Sequence, residues 1–390
     1  MLTLIKNGEV YAPDYIGKKD LLLTHDKIGF IEDEITLLPS SFVNMKVIDA
    51  SGLKVVPGFI DSHVHITGGG GEGSYKTRTP EIQLSQATTA GITTLVGVIG
   101  TDGTTRTMPN LLAKARALEE EGITCYVHTG SYQVPVKTLT GKIEDDLILI
   151  DKIIGVGEIA ISDHRSSQPT VEEIAKLASA ARIGGMLSGK AGIVNIHVGD
   201  SLQHLDLLLD VVSSTDLPIR QFYPTHINRN PHLFEAGIQY ALQGGWVDFT
   251  TSTIPKFLEE GEVKCSTGLK RMLEASVPIE QITFTSDGQA SLPDFDQHGE
   301  MIGLKIGNVS TLFQEVKQAV QQENIDLSTA LKVITSNPAR ILKLQQKGEI
   351  KIGKDADLVL LDEQLTIQSV WARGKQMVEN GEAIVKGTFE

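Results

Sequence analysis

The sequence predicts a (β/α)8 barrel of the TIM type, joined to a small β-sandwich domain that both ends of the chain build together. Apolar, β-branched runs alternate with helical patterns through the middle of the chain, as in folds with parallel strands. The two ends, by contrast, are patterned as short strands and turns. A chain of 390 residues is long enough for one large domain with an appendage. We expect the sandwich to use residues 1–55 and 344–390, and the barrel to use 56–343.

Both ends carry turn signals between short extended runs. Asn7 and Gly8 separate two extended stretches near the start, a pair that favours a tight β-hairpin. The stretches "GEIKIGKDADLVLLD" and "QSVWARGKQMVENGEAIVKG" near the other end repeat the pattern, with Asn-Gly or Gly-Lys at the turns. Because the two ends resemble each other and differ from the middle, we assign them to one β domain.

The middle of the chain contains eight candidate strands separated by helical patterns. The apolar runs lie at residues 55–60, 92–100, 123–127, 158–162, 193–198, 222–226, 246–252 and 281–286. Helices are expected between them, for example in "MPNLLAKARALEEEG" and "VEEIAKLASAARIGG", and the helix "LSTALKVITSNPARILKL" would close the barrel. The alternative is an open doubly wound sheet. That fold predicts a Gly-x-Gly-x-x-Gly loop after the first strand, and the four glycines at 68–71 lack that spacing.

Composition excludes several classes of partner. With 41% apolar and 22% charged residues, the chain has the composition of a globular protein. Its net charge of −14 repels nucleic acid and anionic membrane surfaces. No apolar run approaches the length of a membrane span. Two cysteines cannot form a disulfide framework, so we expect a reducing, cytoplasmic setting.

Polar residues cluster at the carboxyl ends of the predicted strands. They are His63 and His65 on the first strand, Glu158 on the fourth, His197 on the fifth, His226 on the sixth and Asp287 on the eighth. In a barrel these ends converge on one mouth, and side chains two residues apart in a strand share a face. Imidazole and carboxylate ligands suit zinc or a similar divalent ion, and one carboxylate can bridge two metals. The pattern therefore predicts a metal site, with a water activated between two ions.

A lone strand histidine is more often an ordinary core residue than a ligand. Six potential ligands at the same end of five strands make a common site the better interpretation. The remaining histidines carry no such signal, and we expect them at the surface or behind the ligands: His25, His128, His164, His204, His232 and His298. Both cysteines are interpreted as buried apolar groups.

The chain resembles the amidohydrolase superfamily in its "PGFIDSHVH" motif, its ordered ligand set and the "GEIKIGKDADLVLLD" return. Within that superfamily it is similar to the isoaspartyl (β-aspartyl) dipeptidase family. The stretches that carry this similarity include "HITGGGGEG", "GTDGTTR", "ISDHR", "PTHINRN" and "TSDGQAS". The resemblance covers nearly the whole length, and it implies a metallopeptidase that hydrolyses β-aspartyl dipeptides with a metal-bridged hydroxide.

The resemblance also implies individual roles. His63, His65 and Asp287 would hold a buried metal, His197 and His226 a more exposed one, and Asp287 would move the proton from water to the leaving amine. The implied dipeptide-binding groups are Glu72 with the backbone of Gly70 for the α-ammonium, Tyr132 for the carbonyl oxygen, Arg229 and Thr101 for the α-carboxylate, and Arg165, assisted by Ser291, for the other carboxylate. Which arginine takes which carboxylate stays open.

One position departs from the family pattern. The familiar dipeptidase bridges its metals with a carboxylated lysine on the fourth strand, whereas this sequence has Glu158 there. The nearest lysine, Lys152, lies six residues away in a predicted helix. We expect Glu158 to bridge the two ions directly, so that the site assembles without bicarbonate. Its shorter arm requires the strand to approach the metals, and a mononuclear site stays open as the alternative.

Two rival functions stay open. A cyclic-amide or N-acyl-amino-acid hydrolase would use the same scaffold with less need of Glu72, and a non-catalytic scaffold protein would lack metal. The family resemblance further implies a homo-oligomer, an octamer, acting on a small dipeptide.

Overall fold

The structure is a computed structural model that describes residues 2–36, 44–296, 298 and 301–390. It consists of a barrel formed by the middle of the chain and a separate β-rich part formed by the two ends, which confirms the predicted fold class. Within the described residues, every helix is too short or too polar to cross a bilayer.

The strands follow one another along the chain. They are β1 (Leu2–Tyr11), β2 (Tyr15–Thr24), β3 (Lys27–Glu32), β4 (Met45–Asp49), β5 (Lys54–Pro57), β6 (Phe59–Val64), β7 (Ile92–Gly97), β8 (Thr124–Thr129), β9 (Ile153–Ile161), β10 (Ile193–Val198), β11 (Phe222–Thr225), β12 (Val247–Thr250), β13 (Ile282–Thr285), β14 (Ser291–Phe295), β15 (Met301–Ile306), β16 (Leu358–Leu361), β17 (Ile367–Ala372), β18 (Lys375–Glu379) and β19 (Glu382–Ala383).

The α-helices lie mostly between the barrel strands. They are α1 (Leu84–Thr89), α2 (Met108–Glu121), α3 (Ile143–Leu149), α4 (Val171–Ser188), α5 (Asp206–Ser214), α6 (Pro231–Leu242), α7 (Pro255–Glu259), α8 (Cys265–Glu274), α9 (Thr311–Gln321), α10 (Leu327–Lys332) and α11 (Ser336–Ile341).

The terminal sheet combines strands from both ends of the chain. Its order is β19-β18-β17-β16-β5-β1-β2-β3, and β4 pairs with β1. The link between the two ends is the antiparallel pair of β5 and β16, in which Val56 lies opposite Val359. Ile5, Leu21 and Trp371 are buried in its core, so both ends contribute apolar side chains to one interior.

The predicted hairpin at Asn7 is wrong. β1 continues through this point as one strand, and its pairing with β2 shifts register between Ile5 and Gly8. Asn7 takes a φ of 65°, and its backbone N–H donates to Asp20. The Asn-Gly pair therefore forms a β-bulge, for which the same left-handed conformation is suitable. The Asn380-Gly381 pair, by contrast, does form the turn between β18 and β19.

Eight parallel strands of the described chain, β6 to β13, form the barrel. β6 to β11 make one sheet in sequence order, and β12 pairs with β13. Backbone hydrogen bonds join the two pieces on both sides: Ile227 donates to Asp248 at 3.1 Å, and His65 donates to Gly288 at 2.9 Å. The ring is therefore closed, and all carboxyl ends open at the same mouth.

The boundaries of several predicted elements differ in the structure. The fourth barrel strand, predicted at 158–162, is β9 (Ile153–Ile161), so Glu158 lies inside the strand. Residues 55–57 belong to β5 in the terminal sheet, and the first barrel strand is β6, which contains His63. The closing helix is two short helices, α10 and α11. Pro338 has no N–H to donate to the preceding turn, so a continuous helix cannot pass through it.

Candidate active site

A cavity of about 540 Å³ opens at the carboxyl ends of the barrel strands. The predicted site residues that line it are His65, Gly70, Glu72, Thr101, Tyr132, Arg165, His197, His226, Arg229, Asp287 and Ser291. His63 and Glu158 are fully or almost fully buried, and they contact the residues of the cavity floor.

Glu158 lies among all four predicted histidine ligands. Its Oε1 atom is 2.7 Å from Nδ1 of His197 and 3.3 Å from Nε2 of His226. Its Oε2 atom is 3.3 Å from Nε2 of His63 and 3.9 Å from Nε2 of His65. Each oxygen thus faces one pair of imidazoles, which is the arrangement required of a carboxylate that bridges two ions.

A bulge in β9 brings Glu158 to this position. The pairing of β9 with β10 passes from Val156–Val194 to Ile159–Ile196, so β9 has one residue more than its partner. Gly157 in this bulge has a φ of 142°, and a β-carbon on it would lie 2.6 Å from the carbonyl oxygen of Asn195. Only glycine fits there. The bulge is the local device by which the strand presents a short acidic side chain to the histidines.

Asp287 completes the floor of the cavity. It follows β13 directly and has a φ of 52°. Its Oδ1 atom is 3.0 Å from Nε2 of His65 and 3.7 Å from Nε2 of His63. Although burial opposes ionisation, the close approach of His65, together with His226 and His63, holds the pKa of Asp287 well below its usual range. The carboxylate is therefore ionised and able to accept a proton.

The donor set fits a metal centre. Two groups of ligand atoms, His63 with His65 and Asp287, and His63 with Glu158 and His226, each lie within 4.8 Å of one another. Among the described residues, the buried atoms His63 Nε2, Glu158 Oε2 and Asp287 Oδ1 make no hydrogen bond. Buried polar atoms without partners are costly. Here they converge on one space, and divalent cations satisfy such nitrogen and carboxylate donors.

The charges of this cluster alter the protonation of its histidines in opposite directions. Burial lowers the pKa of His63, but the carboxylates of Glu158, Asp287 and Asp248 together outweigh burial and raise that pKa to about 9. For His226, burial dominates and the pKa is lowered to about 3. An imidazole with such a low pKa stays neutral at physiological pH, which is the form that binds a metal.

Three of the predicted ligand histidines are supported by polar side chains that the sequence did not reveal. Nδ1 of His63 contacts Oδ1 of Asn195 at 3.0 Å, and Nδ1 of His226 contacts Oγ1 of Thr250 at 2.5 Å. Nε2 of His197 contacts Oδ2 of Asp163 at 3.0 Å. Asp163 lies two residues before Arg165 in "SDHR", and this short spacing was the available signal.

Glu72, Thr101 and Arg165 come together on one wall of the cavity. Oε1 of Glu72 accepts a hydrogen bond from Thr101 at 2.9 Å and lies 3.5 Å from Nη1 of Arg165. Asp163 binds the other side of the Arg165 guanidinium. Burial opposes the charge of Arg165, but the hydrogen bonds with Asp163 raise its pKa further. This wall thus presents one acid and one permanent cation to the cavity.

Arg229 lies on a different wall, beyond β11. Its Nε atom is 3.9 Å from Oδ1 of Asp200, a loose ion pair. Glu262 also lines the cavity, and burial raises the pKa of its carboxyl to about 7. The Arg229 guanidinium is therefore less constrained than that of Arg165.

Tyr132 is buried beside His197. Its hydroxyl is 2.8 Å from Nδ1 of His197, and Arg165 lies 5.4 Å from the centre of its ring. Burial raises the pKa of the Tyr132 hydroxyl well above its usual value. The hydroxyl therefore stays protonated and can donate a hydrogen bond to an oxygen in the cavity.

The glycine run before Glu72 folds closely against its neighbours. Gly70 has a φ of 67°, and a β-carbon on it would lie 2.6 Å from the carbonyl oxygen of Thr77 and 3.0 Å from the side chain of Ser291. Only glycine, which has no β-carbon, allows the backbone to pack this closely beside the cavity.

Lys152 and His128 are not placed as metal ligands. Lys152 was expected in a helix, but it lies in the turn just before β9 and pairs with Glu119. It is not part of the histidine cluster. His128 is buried in the barrel, where burial lowers its pKa to about 3 and neither ring nitrogen has a hydrogen-bond partner in the described chain.

The barrel, its converging imidazoles and its buried carboxylates define a hydrolase of the metal-binding amidohydrolase class. Models of the amidohydrolase family match residues 46–125 and 256–382. An allantoinase from Bacillus licheniformis is 27% identical over 92% of this chain and 86% of its own. A D-hydantoinase structure has the same fold, with a TM-score of 0.70 and 20% identity over 100% of this chain and 97% of its own.

A more similar structure is that of a β-aspartyl dipeptidase from Fervidobacterium islandicum AW-1, solved in complex with the dipeptide β-Asp-Leu. It is 45% identical to this chain, covers 98% of both chains and has a TM-score of 0.89. This chain therefore belongs to the β-aspartyl dipeptidase group of the amidohydrolase family.

Proposed function

We propose that this protein hydrolyses β-aspartyl dipeptides at a site that holds two divalent metal ions, with Zn²⁺ as their identity. One observation carries the proposal: a single cavity contains the carboxylate of Glu72 and the guanidinium groups of Arg165 and Arg229 above the histidine cluster. A β-aspartyl dipeptide has one ammonium and two carboxylates around its amide bond. The charges of the cavity complement these three groups.

The proposed metal ligands are the groups with converging donor atoms. His63 and His65 with Asp287 would hold one ion, His197 and His226 the other, and Glu158 would bridge them. When bound, such ions supply a water of lowered pKa and polarise the substrate carbonyl. The two oxygens of the Glu158 carboxylate support the bridging role. Oε1 lies 2.7 and 3.3 Å from its two imidazoles, and Oε2 lies 3.3 and 3.9 Å from the other two.

The residues around the metals would orient the dipeptide. Glu72, with the backbone at Gly70, would bind the α-ammonium. Arg229 and Thr101 would bind the α-carboxylate, and Arg165 the second carboxylate with help from Ser291. Arginine–carboxylate pairs are frequently bidentate, so they fix orientation as well as affinity.

Two side chains would act on the reacting atoms. The Asp287 carboxylate would take a proton from the attacking water and deliver it to the departing nitrogen. The lowered pKa of Asp287 keeps the group ionised before the reaction but makes it a weak base, so the first step would depend on ions that lower the pKa of the attacking water. Tyr132 would donate a hydrogen bond to the carbonyl oxygen as negative charge develops there.

A direct substrate comparison tests this function. The full-length protein, loaded with Zn²⁺, is assayed with β-Asp-Leu and with α-Asp-Leu, and Asp287→Ala serves as the control. We expect hydrolysis of the β-linked dipeptide only, and a loss of at least about a hundredfold in kcat for the variant.

Two outcomes of that assay would contradict the proposal. Equal rates on both dipeptides would show that the cavity does not select the β-linkage. Hydrolysis of a cyclic amide or an N-acyl amino acid that survives Glu72→Ala would favour a different amidohydrolase activity, because such substrates lack the α-ammonium.

We further propose that the protein forms a homo-oligomer, which the family resemblance implies to be an octamer. Large apolar side chains are exposed on neighbouring helices, namely Leu149 on α3 and Met186 and Leu187 on α4. Exposed apolar groups of this kind are frequent at interfaces between subunits. Sedimentation analysis of the wild type and of Leu187→Glu tests this assignment.

A cytoplasmic setting is the final part of the proposal. Cys125 and Cys265 are both free and buried. Burial raises the pKa of the Cys125 thiol to about 12, so it resists oxidation. Unpaired thiols of this kind are compatible with a reducing compartment.

A further inference from the structure

One carboxylate, that of Asp163, contacts both a proposed metal ligand and a proposed substrate-binding group. Its Oδ2 atom is 3.0 Å from Nε2 of His197 and 2.7 Å from Nη2 of Arg165. Its Oδ1 atom accepts hydrogen bonds from Nε of Arg165 at 2.9 Å and from the backbone N–H of Arg165 at 2.7 Å. The side chain is only 5% exposed.

This contact pattern orients both partners. An acidic acceptor at Nε2 favours the tautomer with the imidazole proton on that nitrogen, which leaves Nδ1 of His197, the nitrogen on the side of Glu158 and Tyr132, as the one that would bind an ion. On the other side, Asp163 occupies Nε and Nη2 of the Arg165 fork. Nη1 is then the nitrogen that faces Glu72 and the cavity, at 3.5 Å from Oε1.

The other supported histidines lack this double connection. Asn195 supports His63 and Thr250 supports His226, each through one contact from an uncharged side chain. Nδ1 of His65 has no hydrogen-bond partner in the part of the chain that the structure describes. Asp163 is thus distinguished by its charge and by its second partner, Arg165.

We propose that Asp163 is a positioning residue that fixes His197 for metal binding and Arg165 for binding a substrate carboxylate. The inference rests on the proposed function, since it assigns those tasks to His197 and Arg165. Both tasks then depend on one negative charge. Loss of that charge weakens metal binding and substrate binding together, although Asp163 itself touches neither the substrate nor the reacting atoms.

The test replaces the charge while keeping the shape, with Asp163→Asn in the full-length protein. Zn²⁺ affinity is measured by competition with a chromogenic chelator in the absence of substrate, and kcat and KM for β-Asp-Leu are measured at saturating Zn²⁺. We expect the Zn²⁺ affinity to fall at least about tenfold and KM to rise about tenfold. The amide can serve only one of the two partners as an acceptor, and its NH₂ group opposes the other.

Thr250→Val is the matched control, because Thr250 supports the proposed ligand His226 but makes no hydrogen bond to an arginine among the described residues. Its Zn²⁺ affinity should also fall, while its KM at saturating Zn²⁺ stays within about twofold of the wild type. Asp163→Glu retains the charge and serves if the asparagine variant does not fold. Its extra methylene displaces both partners, so both quantities should change in the same directions by smaller factors.

The outcomes separate the inference from the proposed function. Unchanged Zn²⁺ affinity in the Asp163 variants would overturn the inference, and so would a KM that changes no more than in Thr250→Val. If the wild type does not hydrolyse β-Asp-Leu, the proposed function fails. The metal-affinity measurement then still decides whether Asp163 positions His197.

Discussion

Two buried charged clusters lie at opposite ends of the barrel, and they differ in how their polar atoms are satisfied. At the amino end, Nζ of Lys347 contacts Asp355 at 2.8 Å, Asp357 at 2.7 Å and Thr124 at 2.6 Å. A lysine ammonium has three donors, and all three are used. At the carboxyl end, atoms of His63, Glu158 and Asp287 are buried without hydrogen bonds.

The difference separates structural charges from functional ones. A closed set of ion pairs joins the barrel to the terminal sheet, since Asp357 precedes β16 and Thr124 begins β8. The histidine cluster at the other end keeps His63 Nε2, Glu158 Oε2 and Asp287 Oδ1 without hydrogen bonds and close to one another. Burial and charge are shared by both clusters, and the unsatisfied atoms are what mark a site for a ligand.

The largest expected effect follows from removal of the bridging carboxylate. Glu158→Ala should lose most bound metal and about a thousandfold or more in kcat/KM, since metal-assisted stabilisation amounts to several kcal/mol. The metal-free variant should be less stable than the metal-free wild type, because it loses the contacts with His63, His197 and His226 that hold the pKa of Glu158 well below its usual value. Metal analysis, β-Asp-Leu kinetics and thermal unfolding measure these quantities.

Asp248→Asn provides a buried comparison for that variant. Asp248 is fully buried in the same barrel, but its oxygens accept hydrogen bonds from Thr225, Thr283 and Thr285. We expect this substitution to leave the metal content unchanged. If it removed the metal as fully as Glu158→Ala does, the distinction between satisfied and unsatisfied carboxylates would not hold.

At the opposite cluster the expected effect is on stability. Lys347→Met removes the common cation of the buried Asp357 and the partly buried Asp355, which keeps Lys27 as a partner, and it should cost roughly 3–5 kcal/mol of unfolding free energy. The folded fraction should keep a kcat/KM within about twofold of the wild type, because the cluster is far from the cavity. Denaturant titration and β-Asp-Leu kinetics on the same samples measure the two quantities.

Lys46→Met removes an exposed lysine that pairs with Glu379 at 3.4 Å, both side chains being nearly half exposed. It should cost less than about 1 kcal/mol. If Lys347→Met lowered the unfolding free energy by no more than Lys46→Met does, the buried cluster would not stabilise the contact between the barrel and the terminal sheet.

The last expected effect depends on pH and concerns Glu262, whose pKa burial raises to about 7 from the usual 4.5. A carboxyl with a raised pKa in the folded state stabilises the protein fully below pH 4.5 and loses that contribution as the pH rises through about 7. The wild type should therefore unfold at a lower temperature than Glu262→Gln at pH 8, with the difference vanishing near pH 4. Thermal unfolding of both proteins from pH 4 to 8 checks this, and a pH-independent difference would contradict it.

Much of this molecule is predictable from its sequence. The eight-strand alternation places the carboxyl ends of the barrel, and the six polar residues at or near those ends predict the metal site. These signals are local: apolar runs predict where the strands lie, and the polar residues near their carboxyl ends predict which side chains line the cavity. The same reasoning does not distinguish a hairpin turn from a bulge at Asn7, because both use a left-handed backbone and only pairing with β2 separates them.

The groups behind the ligands are beyond sequence reasoning for a different reason. Asp163, Asn195 and Thr250 are ordinary polar residues in a linear sequence, and their role depends on contacts across strands. The bulge at Gly157 is equally hidden, since one additional residue in β9 appears only against the register of β10. Such features belong to the packing of distant segments and not to any motif.

The central claim is that Glu158 takes the place of a carboxylated lysine between two metal ions. The most direct measurement is the Zn²⁺ content of the wild-type protein after metal removal and reconstitution in buffer free of carbon dioxide. We predict two Zn²⁺ ions per chain and full activity on β-Asp-Leu, with no response to added bicarbonate. Fewer than two ions, or activity that returns only when bicarbonate is supplied, would contradict this account.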